Sequence, residues 1–173
     1  MALLIVKEPV FLNDSPLIVF GGSGSGKTTV LKDCYDHDSY TSGDYITSME
    51  ICDVLNLWIH LCKEKHPPTK LYFDGVVDKY LKDVRPIGNH TIRELAKTLF
   101  TNMLTTCKNN NTHIAMTLCN PDELNITDAI YIYCSKSVFQ KYGHLGKLTD
   151  VQYSKEGKIV LDSINRKGWI YAP

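Results

Sequence analysis

Eight residues near the start of the chain narrow its fold more than any others. Gly21-Gly22-Ser23-Gly24-Ser25-Gly26-Lys27-Thr28 satisfies every fixed position of the pattern G-x-x-x-x-G-K-[ST]. The apolar run Leu17 to Phe20 leads into it, and Thr28 to Tyr35 follows with a helical pattern. Strand, glycine turn and helix in that order aim several backbone N–H groups at one point, a path that glycine permits. The start of the helix adds its own partial positive charge. Such a nest fits a polyphosphate, so residues 21–28 and the adjoining Thr29 are expected to hold a nucleoside triphosphate such as ATP. Lys27 is expected to reach the β- and γ-phosphates, and the Thr28 hydroxyl to ligate Mg²⁺.

Short apolar runs and helical patterns alternate along the rest of the chain. Leu71-Tyr72-Phe73, His113 to Leu118 and Ala129 to Cys134 have the length and flanks of buried strands. Thr47-Ser48-Met49-Glu50 and Thr91-Ile92-Arg93-Glu94 both fit a capping box. Ile51, Leu55, Trp58, Ile59 and Cys62 recur at helical spacing after the first box, and Leu95, Leu99, Met103 and Leu104 after the second. Asp36 to Asp44 reads as a polar turn, and Pro67-Pro68 and Asn109-Asn110-Asn111 as breaks. From Gln152 to Ala172 the sequence alternates, with turn residues at Glu156-Gly157 and Lys167-Gly168, as in strands joined by tight turns. Alternating strands and helices predict an α/β three-layer sandwich, a mostly parallel sheet with helices on both faces. The 173 residues fit one domain, with a core over 12–135 and terminal strands over 150–173. Ligands in such folds bind at the carboxyl ends of the strands.

Two further polar residues fall at such ends. Asp74 follows three apolar residues and resembles a Walker B aspartate, so it is expected beside Thr28 in the metal shell. The next residue is Gly75, where hydrolytic ATPases of the RecA and AAA+ kind usually carry a glutamate; Asp78 and Glu50 are the nearest acids that could orient water. Asn120 ends the run Thr117-Leu118-Cys119-Asn120, where a side chain can sense a γ-phosphate. Lys27, Asp74 and Asn120 are thus the expected catalytic set. His90, His113 and Trp58 read as structural.

Charge and cysteine content bound the partners and the compartment. Net charge is zero, so overall charge singles out neither nucleic acid nor membrane. Lysine outnumbers arginine by 16 to 3, which bears on any phosphate chemistry that relies on arginine forks. Cys34, Cys52, Cys62, Cys107, Cys119 and Cys134 form no C-x-x-C pair and read as buried free thiols of a reducing compartment. The apolar patch Ala2 to Val6 is too short for a signal sequence or a membrane span. The expected location is the cytoplasm, or a virus-associated place within a host cell, with no membrane partner.

Three family resemblances bear on the activity. GGSGSGKT at 21–28, YFDGVVDKYLKD at 72–83, the strand ending in Cys119-Asn120, ITDAIYIYC at 126–134 and the lidless terminal strands are similar to the FtsK–HerA class of viral DNA-packaging ATPases. That resemblance implies ATP hydrolysis driving a nucleic-acid motor, with DNA or RNA as partner. It also implies a homo-oligomeric ring in which a cation from the next subunit completes the site. Arg85, Arg93 and Arg166 are the arginines available. SPLIVFGGSGSGKTTVL at 15–31 and TLCNPDELNITDAI at 117–130 resemble AAA+ proteins, including DnaA-like initiators, although no arginine lies between Arg93 and Arg166. GGSGSGKTTV, SGD at 42–44 and FDG at 73–75 are similar to nucleoside and nucleotide kinases, which need several arginines to close a lid. A slowly hydrolysing or non-hydrolysing assembly switch is the remaining alternative, and Gly75 suits it.

Overall fold

The computed structural model describes residues 3–6, 16–63, 68–120, 123–124, 129–133, 159–162 and 167–171. The strands are β1 (Leu3–Val6), β2 (Leu17–Phe20), β3 (Gly43–Ile46), β4 (Thr69–Phe73), β5 (Pro86–Ile87), β6 (His90–Thr91), β7 (Thr112–Leu118), β8 (Ile130–Tyr133), β9 (Ile159–Asp162) and β10 (Lys167–Tyr171). The helices are α1 (Lys27–His37), α2 (Ile51–Lys63), α3 (Val76–Leu81) and α4 (Ile92–Asn109). One sheet runs in the order β1-β10-β9-β8-β2-β7-β4-β3, and β5 and β6 form a separate hairpin. From β9 to β3 every neighbouring pair is parallel; β10 and β1 add an antiparallel margin.

The central strands are apolar throughout because both faces are covered. Alternate side chains point to opposite faces of a strand. Ile18, Phe20, Leu71, Phe73, Ile114, Met116 and Leu118 therefore meet α2, α3 and α4. Leu17, Val19, Tyr72 and Ala115 meet Leu31 and Cys34 of α1 on the other side. This is the expected mostly parallel α/β sandwich with helices on both faces. Among the described residues, no helix is long and apolar enough to cross a membrane.

The capping box at Thr91 forms: its hydroxyl accepts from the Glu94 N–H at 3.2 Å, and the Glu94 carboxylate accepts from the Thr91 N–H at 3.3 Å. The helix that follows buries Leu99, Met103 and Leu104 as its spacing predicts, together with Ala96, Phe100 and Cys107. Burial pushes the Cys107 thiol up to about 12. Cys34 and Cys107 are buried, whereas Cys52 and Cys62 are exposed, contrary to the expectation of burial; Cys134 lies outside the described residues.

Several local expectations need correction. The box at Thr47 does not start α2; the helix begins at Ile51, where the Glu50 carbonyl accepts from the Asp53 and Val54 N–H groups. Packing against α4 also turns the helix from its expected face. Val54 and Leu61 are buried, while Leu55 and Ile59 are each 37% exposed. Trp58 fixes that rotation by donating from Nε1 to Thr106 Oγ1 at 3.2 Å.

The turn expected to run to Asp44 ends earlier, because β3 begins at Gly43 and pairs with β4. A Cβ at Gly43 would lie 2.0 Å from the Lys70 carbonyl oxygen, so only glycine allows that approach. Lys167 and Gly168 are not a turn; they pair with Asp162 and Leu161 inside the ladder. Glu156-Gly157 lies outside the described residues. The apolar patch at the N-terminus supplies β1, which pairs with β10.

Candidate nucleotide-binding site

The glycine loop leaves β2 at the carboxyl end of the sheet. Gly21 N–H donates to the Leu118 carbonyl at 3.2 Å, tying the start of the loop to β7, and Ser25 N–H closes a turn on the Gly22 carbonyl at 3.2 Å. Gly24 (φ 74°) and Gly26 (φ 91°) occupy the left-handed region that favours glycine. A Cβ at Gly22, Gly24 or Gly26 would meet nothing within 4 Å, so open space borders the loop.

Gly26 starts α1 with no side-chain cap, whereas α4 carries its own capping box. The first-turn N–H groups of α1 therefore face the loop without a side-chain acceptor. Ser25 Oγ is buried and has no hydrogen-bond partner among the described residues. An open cradle, an uncapped helix start and an orphaned hydroxyl together fit the oxygens of a polyphosphate.

Lys27 is folded back over the loop. Its Nζ donates to the Gly21 and Gly22 carbonyls at 2.8 and 2.9 Å and lies 3.8 Å from Cys119 Sγ. Thr28, one residue on, donates from Oγ1 to Asp74 Oδ1 at 3.2 Å. The two groups expected to ligate Mg²⁺ are thus neighbours across the tip of β7, which runs between β2 and β4.

Other side chains orient the Asp74 carboxylate. Tyr45, on β3, donates to Oδ2 at 2.9 Å. Thr117, on β7, lies 3.5 Å from Oδ1 and accepts from the Gly75 N–H at 2.8 Å. Burial and the bond to Asp74 push the Tyr45 phenol well above its ordinary pKa, so it stays a donor at neutral pH. Tyr45 and Thr117 are site residues that the sequence did not single out for this role. For Thr117 a signal existed, since alternate residues at the end of β7 share a face. For Tyr45 none did, because β3 was hidden in a polar stretch.

The remaining candidates are placed unevenly. Asp78, in the first turn of α3, accepts from the Cys119 N–H at 3.0 Å and so sits against the β7 tip. Glu50 is exposed at the head of α2, where its backbone carbonyl accepts from the Asp53 and Val54 N–H groups. Asn120 lines a cavity of about 210 Å³ with Asp78, Lys82, Arg93, Cys119 and Glu123, while Cys119 is the residue that reaches Lys27. Arg85 pairs with Asp83 at 2.6 Å and Arg93 with Glu123 at 2.8 Å; Arg166 lies outside the described residues. Thr29 is exposed on the first turn of α1. His90 pairs with Glu94 and His113 with Asp38, in keeping with structural roles.

The glycine loop between β2 and α1, with Asp74 across β7, gives the α/β sandwich the form of a P-loop NTPase fold. No family model matches the chain, and no curated protein matches it. Solved structures do align with it. One is described as the replication initiator DnaA bound to AMPPCP and single-stranded DNA; it is 17% identical, with a TM-score of 0.37. That alignment covers 75% of this chain and 38% of the other.

Proposed function

We propose that the chain binds a nucleoside triphosphate, ATP or a close relative, with Mg²⁺ at residues 21–28, and hydrolyses it. The observation that carries this reading is the Thr28–Asp74 contact beside an uncapped helix start and the Lys27 ammonium. Lys27 exchanges its two carbonyl partners for phosphate oxygens. Gly21 to Gly26 and the first turn of α1, Thr29 included, present N–H groups to the same oxygens. Thr28 and Asp74 hold Mg²⁺, which when bound neutralises charge on the phosphates. Tyr45 and Thr117 keep the Asp74 carboxylate in place. The Asp78 carboxylate, anchored on the Cys119 N–H, is the general base that accepts the proton of the attacking water. Asn120, past the end of β7, registers the γ-phosphate.

The resemblance to packaging ATPases supports coupling of this hydrolysis to movement of DNA or RNA by a homo-oligomeric ring. Phosphoryl transfer to a nucleoside is the competing use of the same loop. Asp74→Ala tests the core of the proposal. Calorimetric titration should show Mg²⁺ tightening ATP binding to the wild type and having no such effect on the variant, which still binds the bare nucleotide. A variant whose Mg²⁺ response matches the wild type would remove Asp74 from the site. Phosphate release stimulated by DNA supports the motor, and label appearing on a nucleoside supports transfer.

A further inference from the structure

Two ammonium groups meet at one thiol. Lys27 Nζ lies 3.8 Å from Cys119 Sγ, and Lys82 Nζ lies 3.9 Å from the same atom. They come from different elements, Lys27 from the start of α1 and Lys82 from the residue that caps α3. A thiol is a weak acceptor and neutralises neither charge. Among the described residues neither lysine forms an ion pair.

The neighbouring charges explain why Lys82 is left over. Asp78 lies four residues earlier on the same helix, the usual spacing for an ion pair, yet its carboxylate is turned to the Cys119 N–H and no ion pair with Lys82 forms among the described residues. Arg93, the other cation lining the adjoining cavity, is held by the Glu123 carboxylate at 2.8 Å and the Leu81 carbonyl at 3.2 Å. Arg85 is committed to Asp83. Lys82 is exposed, and its flexible four-carbon stem can leave the thiol at little cost.

We propose that Lys82 is a second phosphate-binding cation of the same site, supplied within the chain. It leaves Cys119 to bind the terminal phosphate of a triphosphate held on the loop. The inference rests on the nucleotide reading above and deepens it. Lys82 takes up the task that an arginine performs in many phosphoryl-transfer sites, here in a chain whose described arginines are both tied to carboxylates. The contact exists only when a γ-phosphate is present, so it discriminates triphosphate from diphosphate.

The full chain, with Lys82→Met and Lys82→Arg, is titrated with Mg²⁺–ATP and Mg²⁺–ADP, and phosphate release is followed. Lys82→Met should lose turnover by about 10²-fold and preference for ATP over ADP by about tenfold. Its ADP affinity and melting temperature should stay at wild-type values, and Lys82→Arg should recover most of both losses. An unchanged ATP preference and turnover in Lys82→Met would overturn the proposal and leave the loop reading intact. A wild-type chain that binds neither nucleotide would instead overturn the loop reading on which this one rests.

Discussion

The two ends of α1 rest against the same strand, β7, and treat their polar groups in opposite ways. At the carboxyl end of the helix, Asp38 Oδ1 lies 2.7 Å from His113 Nδ1 and accepts from the Tyr40 N–H at 3.0 Å. Its Oδ2 accepts from the Tyr72 hydroxyl at 2.7 Å. The Tyr40 ring stacks on His113 with centroids 3.8 Å apart. Solvent barely enters, with the His113 and Asp38 side chains 6% and 0% exposed. Burial alone would raise the Asp38 carboxyl, but the bonds from His113, Tyr40 and Tyr72 outweigh it and hold the group below its ordinary value. A carboxylate at a helix C-terminus is disfavoured by the dipole, and this ring of donors is what makes it tolerable.

At the amino end the accounts stay open. Among the described residues the helix start has no side-chain cap, Ser25 Oγ has no partner, and Lys27 meets carbonyls and a thiol but no carboxylate. A satisfied buried network fixes a single arrangement, whereas donors at an open loop are met by solvent and can be passed to a ligand without breaking a buried bond. The contrast separates a structural clamp from the proposed binding site within one helix.

Three experiments test this contrast. The largest effect is expected at the closed end. Asp38→Ala removes the carboxylate that accepts from the Tyr72 hydroxyl and meets the His113 ring in a buried network, and should cost about 3 kcal/mol of stability. For a chain of this size that lowers the melting temperature by about 10 °C. Calorimetry that finds no loss would mean the network is decoration. At the open end, Lys27→Ala should reduce turnover by about 10²–10³-fold. The same variant should shift melting by no more than about 2 °C, because the bonds it gives up are part-buried or exposed ones at the rim of the loop. A variant that melts far below the wild type would show the loop to be a structural element instead.

The smallest effect concerns acid. A carboxyl whose folded pKa is depressed contributes stability that is complete above its unfolded value and lost as pH falls through the folded one. Wild-type melting should therefore fall as pH drops below about 4, and Asp38→Asn should show a shallower acid limb. An identical slope in that variant would assign the acid sensitivity to other carboxylates.

The sequence displayed the loop, the central strands and the buried face of α4 because each is a local pattern: a fixed glycine spacing, an apolar run, or a 3.6-residue period. It hid β3, whose four residues Gly43 to Ile46 are only partly apolar, and α3, whose six residues are too few to show a period. It misjudged α2 because a wide apolar stripe leaves its rotation open. The α4 contact, with Trp58 bonded to Thr106, decides that Val54 and Leu61 go inward and Leu55 does not. Within the site, Lys27, Thr28 and Asp74 were visible as motif positions. Tyr45 and the convergence of Lys27 and Lys82 on Cys119 were not, because each depends on elements distant in sequence lying side by side.

Local sequence carries the glycine spacing of the loop, the lysine and hydroxyl at its end, and strands apolar enough to need cover on both faces. Hydrophobic period and backbone freedom are properties of neighbouring residues, so they survive in one dimension. Only the tertiary structure decided that β7 runs between β2 and β4. That placement puts Thr117 beside Asp74 and Cys119 beside two ammonium groups at one end of the strand, with His113 sealed against Asp38 at the other. Which end became a clamp and which stayed open was settled by the count of donors and acceptors that the sheet order brought within reach, and no stretch of sequence contains that count.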